Sequence, residues 1–147
     1  MFLEPGMEER EALLLNPLQL AYMGDSVWEM MVRTRLILQR KTVRHMHSAC
    51  VESVNAGAQA RSLKRILSEL SETEKSVVLR GRNTHARHGV PKHQAPEDYA
   101  EATGFEALLG FLYLTGNKDR LSQLEGMILE IDTQEGAINA RTEKIES

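Results

Sequence analysis

Asn16-Pro17-Leu18-Gln19-Leu20-Ala21-Tyr22-Met23-Gly24-Asp25-Ser26-Val27-Trp28 is the stretch whose reading decides the fold class. Asn16 before Pro17 reads as a helix N-cap and first helical residue. The asparagine oxygen can take an unpaired backbone N–H, and proline has no N–H to leave unpaired. Leu18, Ala21, Tyr22, Trp28, Met31 and Val32 then mark an apolar side at helical spacing, which predicts a helix over residues 18–38. Asp25 falls inside that helix, with Ala21, Tyr22 and Trp28 three or four residues away. A carboxylate is thereby set beside the apolar stripe. Gly24 precedes it, where glycine costs roughly 1 kcal/mol relative to alanine. Such a glycine serves a close approach of backbone, to a neighbouring helix in the common case and to a ligand in the rarer one.

The same reading extends along the chain. Thr42 can cap a second, long helix ending near Leu67, with a bend expected at Gly57. Ser71-Glu72-Thr73-Glu74 is a capping box, so a short helix is expected to about Arg82. Residues 83–96 contain Gly89, Pro91 and Pro96 without a helical period and read as a loop. A helix over 97–114 follows, stopped by Thr115-Gly116-Asn117, and an amphipathic one over 119–131 closes the series. Strand signals are few, so the expected class is all-α. The expected organisation is an N-terminal arm (1–15), one helical domain (16–131) and a polar tail (132–147).

The chain has 147 residues, 41% hydrophobic and 27% charged, which fits one folded domain and argues against general disorder. The longest stretch without charge, residues 12–24, includes Asn16 and Pro17 and is too short to span a membrane. MFLEPGMEER is acidic where an export signal is basic, and the one cysteine, Cys50, permits no internal disulfide. A cytoplasmic protein without membrane partners is expected. The net charge of −3 conceals an asymmetry: residues 30–96 hold 13 Lys/Arg and 4 Asp/Glu, whereas both ends are acidic. Solvated helix faces would explain this, but residues 30–51 and 75–96 contain no acid at all.

Glu106 repeats the oddity of Asp25. Its helical neighbours are Ala102, Thr103, Leu109 and Gly110, and residues 107–115 carry no charge. Bringing an ionised carboxylate into a core costs several kcal/mol unless it is paired or holds a metal. One such carboxylate is explained by a buried ion pair or a protonated acid. Two, on two core helices, suggest a shared cation. With no Cys or His on either face, an oxygen site favours Mg²⁺ or Mn²⁺ over zinc. On spacing alone, structural acids and a metal site stand level.

Two segments carry a family resemblance. Leu20-Ala21-Tyr22-Met23-Gly24-Asp25-Ser26-Val27 resembles the signature of ribonuclease III catalytic domains. Phe105-Glu106-Ala107-Leu108-Leu109-Gly110, with Phe111-Leu112-Tyr113-Leu114, resembles that family's second acidic motif. The likeness runs from about Asn16 to Ile131 and is greatest to the stand-alone Mini-ribonuclease III group, which lacks an appended double-stranded-RNA-binding module.

The resemblance implies the all-helical ribonuclease III endonuclease domain acting as a homodimer. It implies a Mg²⁺-dependent endoribonuclease (Mn²⁺ able to substitute) that cuts double-stranded RNA, leaves 5′-phosphate ends and matures the 23S ribosomal RNA precursor. Asp25 and Glu106 become the catalytic residues and metal ligands. Two other carboxylates of the larger family are replaced here by Ala21 and Thr103, so one protein-held Mg²⁺ is the implied arrangement, with the Thr103 hydroxyl available to a metal-bound water. Arg80-Gly81-Arg82-Asn83 resembles a Mini-ribonuclease III segment. Arg80, Arg82, Asn83, Arg87 and Lys92 become RNA-contact candidates, with Lys64, Arg61 and Arg65 beside them on a helix face that solvation explains equally well. A ribosomal protein presenting the RNA is a further partner compatible with this reading. The alternative is a ribonuclease III-like scaffold that binds RNA without cutting it. The five histidines lack cysteine partners for zinc, Cys50 reads as a small core residue, and Trp28 with Met23, Met30 and Met31 reads as core or dimer interface.

Overall fold

A computed structural model describes residues 4–85 and 95–129. It contains α1 (Glu9–Leu14), α2 (Pro17–Leu38), α3 (Val43–Val54), α4 (Ala56–Ile66), α5 (Glu72–His85) and α6 (Pro96–Leu114), followed by α7 over residues 118–129. Among the described residues there is no strand, as expected of an all-α chain. No described helix is long and apolar enough to cross a membrane.

α6 is the central element and packs against α2, α4 and α5. Residues 102–112 are buried at every position except Glu106, as a helix enclosed on all sides requires. α2 begins as its sequence dictates: Asn16 Oδ1 accepts the Leu18 N–H at 2.9 Å, and Gln19 Oε1 accepts the Asn16 N–H at 3.0 Å. It buries Leu20, Ala21, Val27, Trp28, Val32 and Leu36. Tyr22 departs from the expected apolar side and is 82% exposed. It lies about 200° around the helix from Leu20, outside the buried arc. Trp28 meets Phe105 of α6 edge to face at 5.1 Å, and its Nε1 donates to the Ser53 carbonyl at 3.0 Å, which ties the end of α3 to α2.

The long helix expected from Thr42 to Leu67 is in fact two helices. Thr42 caps α3 by accepting the His45 N–H, but the chain turns extended at Asn55 (φ −69°, ψ 159°). The Asn55 side chain serves both ends of the break. Its Oδ1 accepts the Ala58 N–H at 2.9 Å, and its Nδ2 donates to the carbonyls of Val51 and Glu52. The expected bend at Gly57 is therefore displaced by two residues, and Gly57 sits in the first turn of α4. The expected capping box is present, with Ser71 N–H on Glu74 Oε1 at 2.8 Å and Glu74 N–H on Ser71 Oγ at 3.2 Å. α5 runs three residues past the expected Arg82. The remainder of the loop reading, residues 86–94, and the tail from 130 lie outside the described residues. The arm is anchored by α1 and by the Met7 N–H on the Leu114 carbonyl at 2.8 Å.

Candidate active site

Two glycines set the distance between α2 and α6. A Cβ at Gly24 would overlap the carbonyl of Glu106, and one at Gly110 would overlap the carbonyl of Leu20. The helices thus touch backbone to backbone where any larger residue would force them apart. The consequence is local and chemical: Asp25 follows Gly24 and Glu106 is its contact across the crossing. Gly104 does the same on the other side of α6, where its Cβ would fall 2.8 Å from the Val78 carbonyl of α5.

The two carboxylates are not equivalent. Asp25 is exposed at the rim, so the sequence reading of a buried Asp25 is corrected. Glu106 is half-buried, and its pKa is pushed up to about 7, first by burial and then by the charge of Asp25, with a hydrogen bond from the Gln59 side chain partly offsetting both. Two like charges on facing helices, with no cation acting on Glu106 among the described residues, form an arrangement a divalent ion would relieve. The donor set fits a hard, oxygen-preferring ion, which is commonly held by one or two carboxylates and keeps waters for the rest. Among the described residues no three His, Cys, Asp or Glu side chains gather as a metal cage. Gln59 adds an observation of the same sense: its Oε1 is buried and has no hydrogen-bond partner among the described residues.

Gln59 is the residue that sequence reasoning missed. It lies at 1% exposure on the core face of α4, in register with Ala56, Leu63 and Ile66. An amide at a core position of an amphipathic helix was the available signal. Thr103 is buried as its neighbours require, and its hydroxyl donates to the Tyr99 carbonyl at 2.9 Å, which commits its proton and leaves its oxygen as an acceptor.

The RNA-contact candidates divide. Arg80 turns inward, and its guanidinium donates to the carbonyls of Leu13 and Leu15 at 2.8 and 3.2 Å, which fastens α5 to the α1–α2 junction. Arg82 is exposed and paired with Glu101 at 2.9 Å. Asn83 is exposed. Lys64 comes together with Lys75 and Arg82 around a groove floored by Leu67, Val78 and Leu79. Arg61 has a guanidinium nitrogen beside Gly57, close to Asp98. Arg87 and Lys92 lie outside the described residues. Cys50 is partly buried against the core as expected, while Met30 is exposed.

Residues 18–117 match the Ribonuclease III domain family. The chain is 48% identical over 114 residues to the Mini-ribonuclease 3 of Symbiobacterium thermophilum, covering 76% of this chain and 86% of that protein. It is 46% identical to the Mini-ribonuclease 3 of Thermoanaerobacter sp., covering 83% of each. With that of Clostridium tetani it shares 35% identity, over 88% of this chain and 87% of the other. A crystal structure of a Fusobacterium nucleatum protein has the same fold, with a TM-score of 0.74 at 24% identity, covering 81% of this chain and 95% of that one.

Proposed function

The chain belongs to the ribonuclease III family and is an endoribonuclease; from that premise we propose that Asp25 and Glu106 hold one Mg²⁺ and direct hydrolysis of double-stranded RNA. The observation that carries the reading is the half-buried Glu106 facing Asp25 with no cation acting on it among the described residues. Bound there, Mg²⁺ would supply an activated water and charge stabilisation at the phosphate. Asp25, exposed at the rim, presents its carboxylate toward solvent and substrate. Glu106, anchored at the backbone contact, gives the pair its fixed spacing. The products carry 5′-phosphate and 3′-hydroxyl ends, as the family resemblance implies.

The substrate we propose is the duplex formed by the ends of the 23S ribosomal RNA precursor, following the likeness to Mini-ribonuclease III. Lys64, Arg82 and Asn83, with Arg87 and Lys92, would meet phosphates and ribose hydroxyls, a mode suited to duplex RNA read by shape. A homodimer, with one site for each strand, is supported by apolar residues left on the surface. Tyr22, Met30 and Ile37 are exposed along α2, and Val43 and Val51 along α3. Ile37, Val43, Met46 and Cys50 line one apolar recess there.

The test is incubation of the chain with a duplex transcript of the 23S precursor ends and with an unrelated duplex, with Mg²⁺ or with chelator. Cleavage of the precursor that needs Mg²⁺ and is lost in Asp25→Asn is expected. Cutting that persists in chelator sinks the metal reading. A duplex bound but never cut favours the scaffold.

A further inference from the structure

The amide of Gln59 has one side in use and one idle. Its Nε2 donates to the Val54 carbonyl at 3.1 Å, and the amide lies beside the Glu106 carboxylate, whose pKa its hydrogen-bonding influence lowers. Its Oε1 is fully buried and unpartnered. Turning the amide over does not cure this, because it would set the oxygen against the Val54 carbonyl, an acceptor facing an acceptor. A buried amide oxygen is normally satisfied by protein or by ordered water. A leucine would fill the same place on the core face of α4 without this cost. A neutral amide also differs from an arginine in what it does to Glu106: it holds the carboxylate without neutralising it, so the negative charge stays available.

We propose that Gln59 is a positioning residue of the metal centre, steadying Glu106 through its N–H side and accepting through Oε1 a hydrogen bond from water carried by the divalent ion. This rests on the metal reading above. Such outer partners hold ligands and metal-bound waters in place, and their removal weakens metal binding about 10–100-fold.

The experiment is calorimetric titration of Mn²⁺ into the wild type and Gln59→Met, a substitution that keeps side-chain length and removes both polar atoms. Folding is checked by the thermal melt. Weakening of Mn²⁺ binding by about tenfold or more, with an unchanged KM for duplex RNA, is expected. Equal Mn²⁺ affinity in a folded Gln59→Met overturns the proposal. A second measurement does not depend on that variant folding: Mg²⁺ titration of the ¹⁵N-labelled wild type, following the Gln59 side-chain amide resonances. They are expected to shift with the midpoint of metal binding, and resonances that stay still overturn the proposal. A wild type that binds neither ion fails differently, removing the metal reading and this inference with it.

Discussion

Glu74 and Glu106 are two glutamates withdrawn from water in the same bundle, and they titrate in opposite directions. At the corner of α5 and α7, burial pushes Glu74 up, but hydrogen bonds from Arg120 and Ser71 outweigh it and hold its pKa below the ordinary 4.5. Arg120 reaches both oxygens, through Nε and Nη2 at 2.9 Å each, and its Nη2 also donates to the Glu69 carbonyl at 2.7 Å. At the crossing of α2 and α6, Glu106 has an amide and a second carboxylate for neighbours, and burial wins. Pairing, not depth, separates a structural acid from one poised for chemistry.

The comparison can be broken at its root by Gly24→Ala. The added methyl group overlaps the Glu106 carbonyl, and backbone cannot yield as a flexible side chain would. Loss of several kcal/mol, seen as failure to fold or a melting temperature lowered by more than ten degrees, is expected. A near-native melt would mean the helices do not touch there.

Next in size is Glu106→Gln, which should abolish most cleavage yet stabilise the metal-free protein at alkaline pH. The sign follows from protons. The unfolded glutamate ionises near 4.5 and the folded one near 7, so the native state binds the extra proton between those values. Stability falls as pH rises through that window, by on the order of 3 kcal/mol at most, and the loss is complete above it. Denaturant melts with chelator at pH 5 and pH 8 measure it; the wild type should lose stability between them more than Glu106→Gln does.

Glu74→Gln should show the reverse. It leaves Arg120 short of its carboxylate and lowers stability by roughly 1–3 kcal/mol, while cleavage per folded molecule is unchanged. The Glu74 contribution is present above pH 4.5 and is lost as pH falls through its lowered value. A drop in turnover would join the two corners in one function. The smallest effect is Gly126→Ala in α7, where a Cβ meets nothing within 4 Å among the described residues: a gain of roughly 0.5–1 kcal/mol, read as a slightly higher melt.

These contrasts show what the chain states in its letters. Caps are local, and so Asn16-Pro17 and the box Ser71–Glu74 were readable from a few residues. Asp25 and Glu106 stood out because charge interrupts apolar helical faces. The break at Asn55 was obscured because Thr42 and residues 43–66 keep helical composition throughout. Only the three-way bonding of the Asn55 side chain makes a cap there cheaper than one continuous helix. Arg80 looked like its basic neighbours, since nothing in its surroundings in sequence shows that two carbonyls some 65 residues away need donors. The Glu74–Arg120 pair is likewise a tertiary fact, made by helices that meet only after folding, whereas Gln59 was signalled by an amide on the core face of α4.

The most direct test of the account is Mn²⁺ calorimetry on Asp25→Asn, Glu106→Gln and the double variant, with folding checked by melts. If the two acids share one ion, each single substitution removes the same binding event and the double removes nothing more. Independent, additive losses, or full Mn²⁺ binding in either single variant, would contradict it.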